Sequence, residues 1–380
     1  MVRKLLSTLL IVLVLAALTI AGCAAPAPAP APSPSPSPAP APSPEPVKPI
    51  ELKLGHNSST RSGSHAGFME PWAKNVEEAT NGKVKITIYP SETLFKAKEA
   101  MVAVEKGMTD MAWVLVGFYP GRFPLADIIS LPFINLPSGT VDGRELGPYE
   151  INSHILMELF EKFPEMQAEW AGVKPLIIHT SGPTSIWSNK LISNLDEIKG
   201  LKIRSYSGPD ADMWELLGAS PIAMPLPAVY ENAEKGVLEA CNVDWGGVNA
   251  YKVYEVLPYR VNNVAITVGR YALVMNQDKW DSLPPDVQDA ITSLCGVRGA
   301  EFAGAGMGMG AGTSMDNMVR NNAEKAGKPL TETDFSAADI AKWKTIIQPM
   351  YNKYIDELEA KGLPAQKIFD EAQNLIEKYK

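Results

Sequence analysis

The chain has 380 residues and a mass of 41.1 kDa, more than one compact domain usually holds, so two lobes are expected. Thirty-five Lys and Arg stand against 43 Asp and Glu, a net charge of −8, which argues against nucleic acid as a partner because phosphate binding needs a basic surface. Hydrophobic residues at 46% exclude global disorder; three cysteines are too few for a disulfide scaffold, and four scattered histidines too few for a rich metal site, so neither metal nor cofactor is expected.

Twelve of the 32 prolines fall between 26 and 49, so the excess is local to the N-terminal region. Arg3 and Lys4 precede an apolar run, Leu5 to Ile20, which ends at Ile20-Ala21-Gly22-Cys23. A basic region, a short apolar core and small residues before a cysteine read as residues 1–22 of a lipoprotein signal peptide, cleaved before a lipidated Cys23; a plain secretory signal or an uncleaved anchor is the alternative. From 23 to 49 the chain is mostly Ala, Pro and Ser. Proline fixes φ and removes donors, so this run forms neither helix nor sheet and serves as an extended tether. The compartment is then extracytoplasmic, with the folded part held at a membrane lipid surface without spanning it.

The folded part begins with Leu52 and Leu54 alternating with Glu51 and Lys53, a strand that ends at Gly55-His56-Asn57. Ser64 is a plausible helix cap, and Phe68, Trp72, Val76 and Ala79 then fall on one helical face, stopped by Asn81-Gly82. Val84, Ile86 and Ile88 form a second strand, a helix covers about 97–106, and an apolar strand runs over 109–116. This βαβαβ order calls for a mostly parallel sheet with helices on both faces. The pattern restarts with strands at 175–179, 201–204, 221–224 and 237–242, separated by helices at 210–217 and 228–235. A strand at 269–276 returns to the first lobe, and beyond Pro284 the chain is nearly all helical. The expected organisation is lobe I at 50–180, lobe II at 181–267, a return to lobe I at 268–310, and a helical region at 311–380 packing on lobe II. Gly304, Gly306, Gly308, Gly310 and Gly312 interrupt an Ala/Met run. Each glycine in a helix costs about 1 kcal/mol against alanine, so close packing against a neighbour is expected in return. Cys241 and Cys295 lie in apolar contexts and read as buried free thiols, although pairing is open.

No G-x-S-x-G elbow, S-x-x-K pair, H-E-x-x-H or phosphate-binding G-x-x-x-x-G-K-[ST] loop is present. Two extracytoplasmic α/β lobes without such motifs point to a binding protein with a ligand in the cleft at the carboxyl ends of its strands. A lipid-anchored hydrolase or isomerase using carboxylates, and a ligand-sensing receptor ectodomain, are the alternatives. Arg204 ends a strand, where a guanidinium is suited to a ligand carboxylate or to an inter-lobe salt bridge. Trp113 lies within a strand and offers either a flat wall or core packing. Asp244 and Trp245 follow a strand end. Asn57 sits in the first strand–helix turn and His65 near the start of its helix, each with a local capping role as the alternative. Thr184 and Tyr206 complete the set of candidate ligand contacts. Arg122, in the turn Gly121 to Pro124, reads as a brace for its loop.

Several stretches taken together resemble one family. Glu70-Pro71-Trp72-Ala73-Lys74, Val84-Lys85-Ile86 with Tyr89-Pro90, Gly107 to Trp113, Tyr119 to Leu125 and Leu131-Pro132-Phe133 resemble the first lobe of solute-binding proteins of tripartite ATP-independent periplasmic (TRAP) transporters, dicarboxylate-receptor (DctP) type. Lys199 to Arg204, Leu217 to Pro221, Val229-Tyr230, Lys235 to Glu239 and Lys252 to Val256 resemble the second. The resemblance covers about 51–295. It implies a two-lobed periplasmic-binding-protein-like α/β fold with a central cleft and a helical C-terminal region, closure on an organic acid, delivery to TRAP permease subunits, and a carboxylate-binding role for Arg204. The chain departs from the family where a Val-Asp-Gly becomes Leu238-Glu239-Ala240, where a Gln-Glu-Asn run is absent, and where 182–185 carries no second arginine. One guanidinium suits one carboxylate, so a monocarboxylate with an apolar or aromatic body is expected ahead of a C4-dicarboxylate.

Overall fold

The computed structural model describes residues 48–205, 209–310 and 313–380. The signal peptide, Cys23, most of the tether and Tyr206 lie outside these residues. The two main sheets define two α/β lobes. The first has five strands in the order 84–89, 50–55, 111–115, 268–276, 173–183. Ile50–Gly55 pairs in parallel with both neighbours, setting Leu54 beside Ile88 on one side and Met111 on the other. Val268–Asn276 runs antiparallel to both of its neighbours, which completes the expected return to the first lobe. Leu52 and Leu54 are fully buried while Glu51 and Lys53 face water, the alternation a half-buried strand requires.

The second sheet has six strands in the order 331–333, 259–261, 185–188, 240–243, 202–205, 220–223. Lys202–Ser205 is parallel to both neighbours, so the carboxyl ends of 202–205 and 240–243 point the same way. Thr331–Thr333, in a stretch that reads as a break between helices, instead extends this sheet in parallel with 259–261.

The chain crosses between the sheets at Thr184 and again between Val261 and Val268. The two crossings meet: Thr184 N donates to Thr267 O at 2.8 Å, Ile266 N donates to Thr184 O at 2.9 Å, and the two threonine hydroxyls lie 3.2 Å apart.

The helix over 70–79 begins differently from expectation. Ser62, not Ser64, accepts the capping bond from His65 N, and 63–69 is a π-helical segment that feeds the α-helix Glu70–Ala79. Phe68, Trp72 and Val76 are fully buried, but Ala79 is exposed and the stripe passes to Thr80. The π-helical segment packs against the helix Gly296–Gly308. A Cβ on Gly306 would sit 2.3 Å from Gly67 O, and one on Gly304 would sit 2.4 Å from Tyr149 O. The glycine run therefore permits backbone-to-backbone contact, as expected, though the helix stops at Gly308.

The C-terminal helices pack on both lobes, not on the second alone. The first half of Ala337–Glu359 meets the second lobe, with Trp343 against Trp214 at 5.7 Å and Lys342 on Asp196 at 3.2 Å, and Trp343 also packs edge-on against Phe133 of the first lobe at 5.3 Å. Its second half meets the first lobe, where Tyr354 donates to Pro124 O at 3.0 Å and Tyr351 donates to Pro132 O. Ala365–Tyr379 lies on Pro148–Lys162, tied by Tyr379 to Glu158 at 2.7 Å. Cys241 and Cys295 are free thiols, the first buried and the second half-buried. Burial pushes both up to about 12. No helix among the described residues is long and apolar enough to cross a membrane.

Candidate ligand cleft

A cavity of about 390 Å³ lies between the lobes and is bordered by Asn57, Trp113, Arg204 and Asp244. Each arrives from the carboxyl end of a strand or from within one. Asn57 follows 50–55, Arg204 sits in 202–205, and Asp244 follows 240–243. This is where open α/β sheets gather ligands, because neighbouring parallel strands turn away from one another there.

Arg204 is only 2% exposed. Its Nε donates to Met224 O and its Nη1 to Asn242 O, both at 3.1 Å. Two carbonyls of its own lobe thus fix the plane of the guanidinium. Asp244 caps the helix Trp245–Ala250. Its Oδ2 accepts from Tyr149 Oη at 2.9 Å and from Gly246 N at 3.2 Å, and its Oδ1 accepts from Gly247 N at 3.3 Å. Burial raises the Asp244 carboxyl, and these donors oppose that shift.

Trp113 is both wall and core. Its ring lies parallel to that of Tyr271 with centroids 4.7 Å apart, and its Nε1 donates to His179 Nε2 at 2.9 Å. His179 must therefore carry its proton on Nδ1 when neutral. Complete burial holds its pKa down to about 3.

His65, Thr184 and Trp245 do not border the cavity. His65 Nδ1 lies 2.8 Å from His56 Nε2, and its Nε2 lies 3.1 Å from Glu70. Ser58 N donates to His56 Nδ1 at 3.1 Å, so the two rings brace the loop that carries Asn57 from behind. Thr184 is buried at the inter-lobe crossing. Trp245 lies between two guanidinium groups, Arg260 at 4.3 Å and Arg320 at 5.1 Å, with its ring edge-on to Trp187. Both arginines pair with Glu332 at 2.7 Å. A tryptophan just past a strand end is satisfied equally by a cleft or by such a stack, and here the stack holds it. Arg122 pairs with Glu105, bracing its loop as expected.

Sequence reasoning missed Tyr149, Tyr271 and Glu92. Tyr149 lies in the first turn of a helix that opens with Pro148, a start signal the chain does carry. Tyr271 lies on a strand that was legible. Ser91 and Glu92, both on the cavity, have φ of 54° and 60°, a left-handed pair that no residue type announces. A second cavity, of about 250 Å³, opens beside Tyr119, Pro124, Arg270 and Tyr354. There Arg270 is closed on Asp127 at 2.7 Å, so its cation already serves a protein carboxylate.

Comparison with known proteins identifies the family and the fold. Residues 54–357 match the family described as bacterial extracellular solute-binding protein, family 7 (DctP). The C4-dicarboxylate-binding periplasmic protein DctP of Rhodobacter capsulatus is 25% identical over 332 residues, covering 84% of this chain and 91% of its own. A marine-metagenome TRAP solute-binding protein specific for aromatic acid ligands, solved with 3-hydroxybenzoate, superposes with a TM-score of 0.76 at 26% identity, covering 87% of this chain and 99% of its own. A TRAP solute-binding protein of Rhodoferax ferrireducens, solved with benzoate, gives 0.75 at 22% identity, covering 87% and 98%. Solute receptors, not enzymes, are what these proteins are, and the chain belongs to the bacterial extracellular solute-binding proteins of family 7.

Proposed function

We propose that this protein is the extracytoplasmic receptor of a TRAP-type secondary transporter, anchored by a lipid at Cys23, which captures an organic monocarboxylate by hinge closure and hands it to the membrane permease. The observation that carries the proposal is Arg204, buried at the end of a strand and bordering the inter-lobe cavity. A planar guanidinium held on two carbonyls is oriented in advance for a carboxylate. Arg204 is the one arginine bordering this cavity among the described residues, which favours one carboxylate over two. The flat pair Trp113 and Tyr271 favours an aromatic or apolar body. The ligands named for the similar structures, benzoate and 3-hydroxybenzoate, have both features. A C4-dicarboxylate, as named for the Rhodobacter relative, is the second candidate.

In this reading Arg204 takes the carboxylate, Trp113 the ring face, and Asn57 and Asp244 the polar edges. Tyr206, next but one after Arg204, is a further contact, while His65, Thr184 and Trp245 support the contact residues from behind. Closure is favoured because the ligand joins groups from both lobes and is worth most when all are engaged.

The test is titration calorimetry with a panel of aromatic and C4 acids on the wild type and Arg204→Ala. Loss of the guanidinium leaves a carboxylate buried without its partner, so the variant should bind about 2–4 kcal/mol more weakly. Unchanged affinity removes Arg204 from the site. For the anchor, labelled fatty acid should enter the wild type and not Cys23→Ala, and label in the variant defeats the lipid assignment.

A further inference from the structure

We infer that the ligand selected by this cleft is a monocarboxylic acid that also carries a hydrogen-bond donor, a hydroxyl or an ammonium, away from its carboxylate, and that Asp244 is the residue that reads it. The inference rests on the carboxylate-receptor reading and narrows its ligand.

Asp244 is nearly sealed, yet it borders the cavity. It receives three donors: Tyr149 Oη and Gly246 N on Oδ2, and Gly247 N on Oδ1. A carboxylate has about four lone-pair positions, so Oδ1 retains capacity for one more donor. Because both oxygens already accept, the arrangement suits the ionised form, which has no hydrogen of its own to offer. A ligand that presents another acceptor here meets repulsion, and one that presents bare hydrocarbon leaves the remaining position unfilled in a dry site. A donor is the group that fits.

The opposite rim repeats the charge. Glu92 comes from the first lobe on the left-handed Ser91–Glu92 pair, and its oxygens accept from Ala97 N at 3.0 Å and Lys96 Nζ at 3.3 Å. The Ala97 amide, ahead of the nearby ammonium, holds Glu92 below the usual carboxylate range, so it is ionised. The cavity border thus carries two carboxylates and, among the described residues, one arginine. A second carboxylate on the ligand would have no second arginine to meet at the cavity border and would approach Asp244 as well as Glu92, whose charge Lys96 offsets only in part, which disfavours a dicarboxylate. The Trp113–Tyr271 pair suits a ring between the two ends, so the donor belongs on a ring or a short arm from it.

The test uses the full chain and five probes: phenylacetate, its meta-hydroxy and para-hydroxy forms, its aminomethyl form, and carboxyphenylacetate. By calorimetry, at least one donor-bearing form should bind about tenfold or more tighter than phenylacetate, and carboxyphenylacetate about tenfold or more weaker. Asp244→Asn keeps a good helix cap, so folding should survive, and a melting curve checks this. In that variant the donor advantage should fall below about threefold, with phenylacetate itself little changed. Tyr149→Phe removes a neighbour of Asp244 but leaves the carboxylate, so the donor advantage should persist there; a merely structural role for Asp244 would disturb both variants alike. Hydroxy or aminomethyl as the better arm tells a neutral from a cationic donor, and either supports the inference. Equal binding of phenylacetate and every donor form, or a donor advantage intact in Asp244→Asn, overturns the inference and leaves the carboxylate receptor standing. Binding of none of the five overturns the inference, and overturns the carboxylate receptor too only if the C4 acids also fail to bind.

Discussion

His179 has no space for a second proton. It lies beside the stacked Trp113 and Tyr271 rings, accepting a hydrogen bond from Trp113 Nε1 and with the Tyr271 ring 5.5 Å away. Burial lowers its pKa to about 3, and burial with the neighbouring His65 lowers that of His56 to about 3 as well. An unfolded histidine titrates near 6.5, so between about pH 6.5 and pH 3 the unfolded chain binds protons that the folded chain refuses. The folded state therefore loses stability as pH falls through this window, by about 2 kcal/mol per residue between about pH 7 and pH 5. Urea denaturation at the two pH values should show this loss. His179→Gln keeps an acceptor for Trp113 but cannot titrate, so its pH dependence should be smaller by about 2 kcal/mol. An identical dependence in variant and wild type rules out His179 as a source. The same residue fixes the Trp113 ring at the cleft, and because folded His179 stays neutral down to about pH 3, that bond persists in the molecules that remain folded.

Helix propensity and packing give opposite signs at Gly306, and the sign of one substitution decides between them. Alanine is the better helix former by about 1 kcal/mol, so Gly306→Ala would stabilise an isolated helix. In the protein the new methyl carbon would lie 2.3 Å from Gly67 O and 2.5 Å from Gly67 C, which are backbone atoms of the π-helical segment. One of the two helices must shift, and overpacking of this kind costs about 1–3 kcal/mol. We expect net destabilisation, read as a lower melting temperature and an equal drop in urea midpoint; a stabilised variant would show that the contact yields freely. Leu52 with Leu54, and Val84 with Ile86 and Ile88, announced strands because a half-buried strand has no other way to arrange its apolar residues. The glycine run announced close packing but not its partner, since nothing local in 63–69 encodes which helix will press on it. Arg204, Trp113, Asp244 and Asn57 stood out because strand ends are recognisable and cluster in this topology. Tyr271 and Glu92 reach the same cavity, and Tyr149 reaches Asp244 behind it, from elements far away in sequence, so only the assembled fold brings them together. Trp245 stood out for the same reason as Asp244, yet two arginines and Glu332 claim it, a competition that adjacency in sequence does not reveal.

Lobe closure must be absorbed by whatever joins the lobes. Two of the connections are the strands that cross at Thr184 and Thr267, which are short and side by side. Another link is the helix Ala337–Glu359, which before Pro349 packs through Trp343 on Trp214 of the second lobe and on Phe133 of the first, and after it bonds through Tyr354 to Pro124 of the first lobe. A straight helix clamped at both ends resists bending about a hinge. Proline removes one hydrogen bond and crowds the carbonyl four residues back, here Thr345, so it softens the helix between its two attachments. Pro349→Ala restores the bond and removes the clash. The variant should therefore melt at a higher temperature than the wild type, because an internal proline costs about 3 kcal/mol relative to alanine. It should also resist closure. If the closed form is less populated, apparent affinity falls in proportion, since the dissociation constant scales inversely with the competent fraction. With the tightest-binding acid of the panel, the fall in radius of gyration measured by small-angle scattering should be smaller in Pro349→Ala and the affinity several-fold weaker, even though residue 349 does not border the cavity. A variant that is more stable yet contracts and binds as the wild type does would show that the two crossing strands alone set the hinge.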